Sequence, residues 1–184
     1  TKNLDKEGLS SIADAYQLFY IDLWGVVHNG IKLHPEAINT LKQISMKNKD
    51  YVLLTNAPRP NSSVKNFLKN MGMEKEMIDH VFTSGEAALN YLKKNFFDSD
   101  FFHIGPPRDF DLFRDLKKNK SSNIKDSEYI LCTGLFDEYD KDLFFYKNLL
   151  EPHIEKKMIC TNPDLIVDRG KVREFCAGSV AMVF

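Results

Sequence analysis

The chain has 184 residues, of which 43% are hydrophobic and 14 are Phe, and it sets 25 Lys plus Arg against 26 Asp plus Glu. That is enough for one domain, or one domain with a sizeable insertion, around a real core, and it excludes a disordered chain or a miniprotein held by disulfides. A formal net charge of -1 leaves no global electrostatic footprint for nucleic acid, so any anionic ligand has to be held locally.

The longest apolar stretches, such as Leu143 to Tyr146 and Ser179 to Phe184, fall far short of the roughly 20 residues a bilayer helix needs. Thr1 to Asp14 mixes charged and polar residues without the apolar core of a signal peptide, which reads as a cytoplasmic chain. Cys132, Cys160 and Cys176 are spaced by 28 and 16 residues, matching neither a CxxC motif nor a disulfide framework, and are read as buried free thiols.

In chain order, Leu18 to Leu23 reads as a buried strand, and Val26 to Leu33 as the polar loop leaving it. Pro35 suits the first turn of a helix on which Ala37, Ile38, Leu41 and Ile44 share a face, ending near Lys49. Tyr51 to Leu54 is the next strand. The turn-rich TNAPRPN leads from it into a helix with Val64, Phe67, Leu68 and Met71 inward, stopped at Gly72. His80 to Thr83 gives a third strand, followed by a helix over Glu86 to Lys94. The alternation continues through FFHI at 101 to 104, Phe110 to Leu116, YILC at 129 to 132, Leu143 to Leu150 and MIC at 158 to 160. KKNKSSN at 117 to 123 is expected to be an exposed loop, LIV and VREF a hairpin about Asp168 to Lys171, and Ala177 to Phe184 the start of a helix. Short apolar strands alternating with amphipathic helices predict an α/β fold with parallel sheets.

Open parallel sheets bind ligands at the carboxyl ends of their strands. Asp22 lies at one such end and is followed by Gly25, which permits a sharp turn; Thr55 and Asn56 lie at the next, 33 residues on. A carboxylate, a hydroxyl, an amide and free backbone N–H groups at adjacent tips could surround a phosphate. Taken singly, Asp22 reads as a turn cap and Thr55-Asn56 as an Asx turn; their order and spacing favour a site.

FYIDLWGVVHNG at 19 to 30, VLLTNAPRP at 52 to 60, VFTSGEAA at 81 to 88 and CTNPDLIV at 160 to 167 resemble the haloacid dehalogenase superfamily. Within it they are most similar to the class IIA, nitrophenylphosphatase-like branch. The resemblance implies a partial Rossmann-like core over 1–82 and an inserted α/β C2-type cap over 83–184, with more core expected beyond residue 184. It implies a phosphatase for a small phosphorylated metabolite, with Asp22 attacking the phosphate to form an aspartyl-phosphate. Mg2+ would be held by Asp22 and the backbone carbonyl of Trp24, and Thr55 and Asn56 would contact the phosphoryl group. Weaker cap candidates are Asn162 and Asp164, with Asp137 and Glu138 read as ordinary loop caps. Neither a nucleic-acid nor a membrane partner is expected; homodimerisation through the cap is the candidate assembly.

The chain departs from the family pattern in two ways. The second Asp, the general acid two residues after the nucleophile, is replaced by Trp24, and His28 is a weak substitute for it. The Gly-Lys-Pro and Gly-Asp segments that follow the cap are absent. The alternative is therefore an impaired phosphate-ligand binder or a fragment. A nucleotide-dependent dehydrogenase fits poorly, since no GxGxxG follows any strand. The five His lack zinc-site spacing, and Arg108 and Arg114 read as solvated surface.

Overall fold

The computed structural model describes residues 4–169 and 172–184. It divides into two compact units, one formed by residues 1–55 and 67–82 and the other by 56–66 and 83–184. The second therefore holds a segment that precedes the cut expected at 82/83. Among the described residues, no helix is long and apolar enough to cross a membrane.

In the first unit, short helices α1 (Leu4–Glu7) and α2 (Ser10–Ala13) precede β1 (Leu18–Asp22), which is followed by α3 (Pro35–Met46) and β2 (Asp50–Thr55). Pro35 begins α3 as expected, and the helix buries Leu41 and Ile44. Helix α4 (Asn61–Asn70) supplies residues to both units; α5 (Lys75–Ile78) and β3 (Val81–Thr83) follow. The strand order is β1-β2-β3, with β1 and β2 parallel and in register from Leu18↔Asp50 to Asp22↔Leu54.

One face of this sheet is covered and the other is not. Tyr51 and Leu53 are buried, 3% and 0% exposed, whereas Leu18 and Tyr20 on the opposite face are 42% and 68% exposed. The expectation of a fully buried β1 is thus corrected. A parallel strand is buried on both sides only where helices cover both faces. Phe67 is also corrected: Val64 and Leu68 of α4 are buried, but Phe67 is 41% exposed and presents its ring to the edge of His28.

The second unit continues with α6 (Ser84–Asn95), β4 (Phe101–Ile104), a 3-10 run over Pro107–Asn119 and β5 (Lys120–Ser121). After a 3-10 turn at Ile124–Asp126 come β6 (Tyr129–Cys132), α7 (Leu143–Leu150) and β7 (Lys157–Cys160). The hairpin β8 (Ile166–Arg169) and β9 (Val172–Phe175) and helix α8 (Ala177–Val183) complete it. The hairpin's turn at Gly170 and Lys171 and the amino-terminal Thr1 to Asn3 lie outside the described residues. The 117–123 segment is not all loop: Lys120 and Ser121 pair with Phe101 and Phe102 as β5.

Strands β5-β4-β6-β7 form one parallel sheet with β6 buried throughout. Phe101, Tyr129 and Leu131 on one face pack with Leu89 and Leu92 of α6 and with Leu112, Phe113 and Leu116 of the 3-10 run. Ile130 and Cys132 on the other pack with Tyr146 and Leu150 of α7 and Ala177 and Val180 of α8. Covering both faces explains the uninterrupted YILC.

Two buried tyrosines in these layers differ in one respect. The Tyr146 hydroxyl accepts the Phe136 N–H at 2.7 Å, whereas the Tyr129 hydroxyl has no partner among the described residues. Removing a used buried acceptor strands its donor, and removing an unused hydroxyl relieves a desolvation cost. Tyr146→Phe should therefore lower the unfolding free energy by about 1–3 kcal/mol, measured by urea titration. Tyr129→Phe should leave it unchanged or raise it.

Candidate active site

The first unit brings the expected strand tips together. Asp22 ends β1 directly opposite Leu54, so Thr55 is the next residue out on the neighbouring parallel strand. Asp22 is exposed and Thr55 is buried, 8% exposed. Their positions differ by one residue, so the pleat turns the side chains to opposite faces within the ladder. They can serve one ligand only past the last paired residues.

The loop after β1 folds on itself. The Leu23 carbonyl accepts the N–H groups of Val26, Val27 and His28, and Gly25 N–H donates to the His28 carbonyl at 2.8 Å. Leu23 and Val27 are buried, 1% and 0% exposed, anchoring the loop below. Gly30 has φ +86°, and a Cβ there would come within 2.7 Å of the Trp24 ring. The indole thus lies over Gly30 and meets His28 edge-on at 5.5 Å. Trp24 packs on its own loop where the family has an acid.

His28 is 3% exposed, and its Nδ1 accepts the Gly30 N–H at 3.0 Å, which leaves the proton of the neutral ring on Nε2. Burial holds its pKa below the ordinary value, against the Asp22 carboxylate, which raises it. At neutral pH it is a neutral loop-fixing group. Among the described backbone hydrogen bonds, none ends on the Trp24 carbonyl.

Asn56 opens the segment that belongs to the second unit, and there it is held. Its amide donates to Asp164 Oδ2, and Ser84 Oγ lies within hydrogen-bond distance of the Asn56 and Thr161 carbonyls. Thr83 caps α6 by accepting the Glu86 N–H at 2.9 Å. In a capping box the Glu would reach back to the Thr N–H. Here the return path runs through Asn61, whose Oδ1 takes the Thr83 N–H while its own N–H donates to Glu86 Oε2. Gly85 meets the Arg59 backbone so closely that a Cβ would lie 2.3 Å from Arg59 N.

Behind this lies a buried polar chain. Arg59 Nη2 sits 3.2 Å from Asp109 Oδ1, the Thr133 side chain also acts on the Asp109 carboxyl, and Thr133 Oγ1 is 2.8 Å from His103 Nε2. Burial raises the Asp109 pKa despite the Arg59 guanidinium, and burial, helped by Lys120, lowers that of His103 to about 3.

The haloacid dehalogenase-like hydrolase family model matches residues 19–117, more than half of the chain. The chain belongs to this family. A haloacid dehalogenase-like hydrolase from Brucella suis is 31% identical over 95% of this chain, with a TM-score of 0.83. A 4-nitrophenylphosphatase from Thermotoga maritima is 24% identical over 94%, with a TM-score of 0.70. A glycerol phosphate phosphatase from Mycobacterium tuberculosis, in complex with magnesium, is 19% identical over 94%, with a TM-score of 0.67. The chain spans 64%, 65% and 52% of those chains respectively. No curated protein matches the sequence. The family model and the Brucella likeness bear out the haloacid dehalogenase resemblance, and the other structures share its fold.

The other candidates fall as follows. Asp164 holds Asn56, and Asn162 Oδ1 accepts the Asp164 N–H at 3.0 Å. Asp137 pairs with Arg108 at 2.7 Å on the surface. Glu138 is exposed in a 3-10 turn. Sequence reasoning missed Arg59, Asp109, Thr133 and His103. The one local signal was TSGE, a capping box by spacing; the rest are partners across 24 to 50 residues.

His103 gives a pH test. Its folded pKa lies below the unfolded value, so as pH falls below about 6.5 the unfolded chain takes up a proton that the folded chain refuses. Stability is lost on acidification until pH reaches about 3. Asp109, with its raised pKa, acts in the opposite direction, so the variant comparison is needed. Wild type should lose stability more steeply than His103→Gln between about pH 6 and 4, by about 1.4 kcal/mol per pH unit, read from urea midpoints.

Proposed function

We propose that the chain carries the nucleophile side of a phosphatase site acting on a small phosphorylated metabolite through an aspartyl-phosphate at Asp22. The observation that carries this is the β1/β2 register, which sets an exposed carboxylate and a threonine at adjacent carboxyl ends of parallel strands in a haloacid dehalogenase-like chain. The phosphatase names of its structural neighbours support it. On this reading the first unit is the partial core and the second the cap that selects the leaving group.

The donor set fits Mg2+. The exposed Asp22 carboxylate and the Trp24 carbonyl are hard oxygen donors, and Mg2+ commonly needs only one or two carboxylates beside phosphate oxygens and waters. Among the described residues, no cluster of three or more His, Cys, Asp or Glu could hold a metal, so the substrate's own oxygens would complete the set. When bound, the ion would neutralise charge on the phosphoryl oxygens. Asp22 attacks phosphorus in line as the ester oxygen leaves, and Thr55 Oγ1 steadies an equatorial oxygen. The Asn56 side chain is turned to Asp164, so its backbone N–H is what it offers the phosphate.

A second reading has its own observation. With Trp24 packed on Gly30 and His28 neutral, no acid stands two residues after Asp22 to protonate a poor leaving group. The site would then bind phosphate esters and turn them over slowly.

Leaving-group dependence separates the two. Asp22→Asn should abolish Mg2+-dependent release of nitrophenol from 4-nitrophenyl phosphate, whose leaving group needs no acid; unchanged release would remove Asp22 as nucleophile. Trp24→Asp should raise turnover of an alkyl phosphate by about 100- to 10,000-fold while changing nitrophenyl ester turnover far less. No gain with the alkyl ester, in a variant that still binds phosphate, would favour the binder.

A further inference from the structure

In the second unit, β6 and β7 end side by side on two cysteines. Cys132 and Cys160 are direct partners in the parallel register, so their side chains leave the same face of the sheet. Strand spacing sets their Cα atoms about 4.8 Å apart, inside the roughly 4.4–6.8 Å that a disulfide spans. The two side chains pack in the same apolar layer, Cys160 against the buried Cys132. Cys132 is fully buried, its Sγ 3.8 Å from the Ala177 carbonyl; Cys160 is only half-buried, its Sγ 3.2 Å from the Asn162 carbonyl. All three cysteines are free, as expected, but Cys160 is not fully buried. A separation of 28 residues hides a pair that the sheet puts in contact.

We propose that Cys132 and Cys160 form a reversible disulfide, a thiol-oxidation site at the carboxyl edge of the second sheet. The roles are unequal. The neighbouring Cys132 thiol lowers the Cys160 pKa to about 7, while Cys160 and burial raise that of Cys132. Cys160 is thus the accessible thiolate and Cys132 the resolving thiol.

With hydrogen peroxide as oxidant, Cys160 Sγ attacks one peroxide oxygen, the O–O bond breaks, and the departing hydroxide is protonated to water, leaving a sulfenic acid. Cys132 Sγ then attacks that sulfur. The S–O bond breaks, and the hydroxyl leaves as water with the Cys132 proton. Two thiols and one peroxide become one disulfide and two waters, the sulfurs losing two electrons and the oxygens gaining them.

The bridge acts on a junction that is already tied. Thr161, next to Cys160, donates its N–H and Oγ1 to the Cys132 carbonyl at 3.0 and 3.3 Å, and Asp164 holds the Asn56 amide. Oxidation would fasten that junction covalently. Cys176 is the internal control: it is buried just before α8, at the end of neither β6 nor β7.

The reduced full chain, freed of reductant and treated with hydrogen peroxide, should lose the mass of two hydrogens. Non-reducing peptide mapping should recover one cross-linked peptide joining Cys132 and Cys160, reversed by dithiothreitol. Cys176→Ser should keep the bridge. Cys132→Ser should leave Cys160 to gain two oxygens as sulfinic acid. A bridge through Cys176, a disulfide only between chains, or wild-type Cys160 that stays reduced or overoxidises without a bridge would each overturn the proposal.

Discussion

Parallel pairing imposes one constraint from which the chemistry of this chain follows: every strand of a sheet runs the same way, so every strand hands its next residue to the same edge. Asp22 and Thr55 meet that edge in the first unit, one residue out of step. In the second unit the same edge collects Gly105, Thr133 and Thr161, immediately after β4, β6 and β7. The ladder is carried past its end by Thr133 N–H donating to Ile104 and Thr161 N–H to Cys132. Thr133 thereby reaches His103 and Asp109, and Cys132 stands beside Cys160. The polar residues gather there because the apolar strand interiors leave no other place where a buried polar group can find partners.

A second tier of order rests on the segment after β2. Turn-rich sequence such as NAPRPNSS costs conformational entropy to fix in one shape. Here that cost is offset by many directed contacts on both backbone and side chains: Gly85 N–H to the Ala57 carbonyl, Thr83 Oγ1 to the Arg59 carbonyl, the shared cap through Asn61, and the Arg59 ion pair with buried Asp109. Gly85 is required by close approach, since any Cβ would strike the Arg59 backbone.

Legibility in the sequence followed the range of each interaction. Strand tips could be read because LFYID and YVLLT each pass from apolar to polar within a few residues. The 3-10 run was half legible: Phe113 and Leu116 are buried as their apolar character suggests, but the backbone leaves helical geometry at Phe113 and Phe110 is exposed. Which face of β1 lies open was not legible, because Leu18 and Tyr20 are as apolar as Phe19 and Ile21, and only the placement of helices distinguishes them. Arg59 with Asp109, His103 with Thr133, and Cys132 with Cys160 are products of topology and leave no local periodicity.

Trp24 shows how a catalytic departure can be accommodated without disturbing the fold. A carboxylic acid at that position would need water or a hydrogen-bond partner, whereas the indole finds an apolar seat over Gly30 and against the His28 ring. That seat depends on Gly30 having no side chain and on His28 being neutral, its Nδ1 occupied by the Gly30 N–H. Trp24, His28 and Gly30 therefore form one packed unit, in which His28 is consumed by structure and has no free nitrogen lone pair to act as a base. On the proposed reading, the loop keeps the Asp22 carboxylate at the strand tip while giving up the acid two residues on. In that phosphatase reaction, where positioning and charge neutralisation supply most of the acceleration, losing the acid would narrow the range of leaving groups before it removed the ability to bind the phosphoryl group.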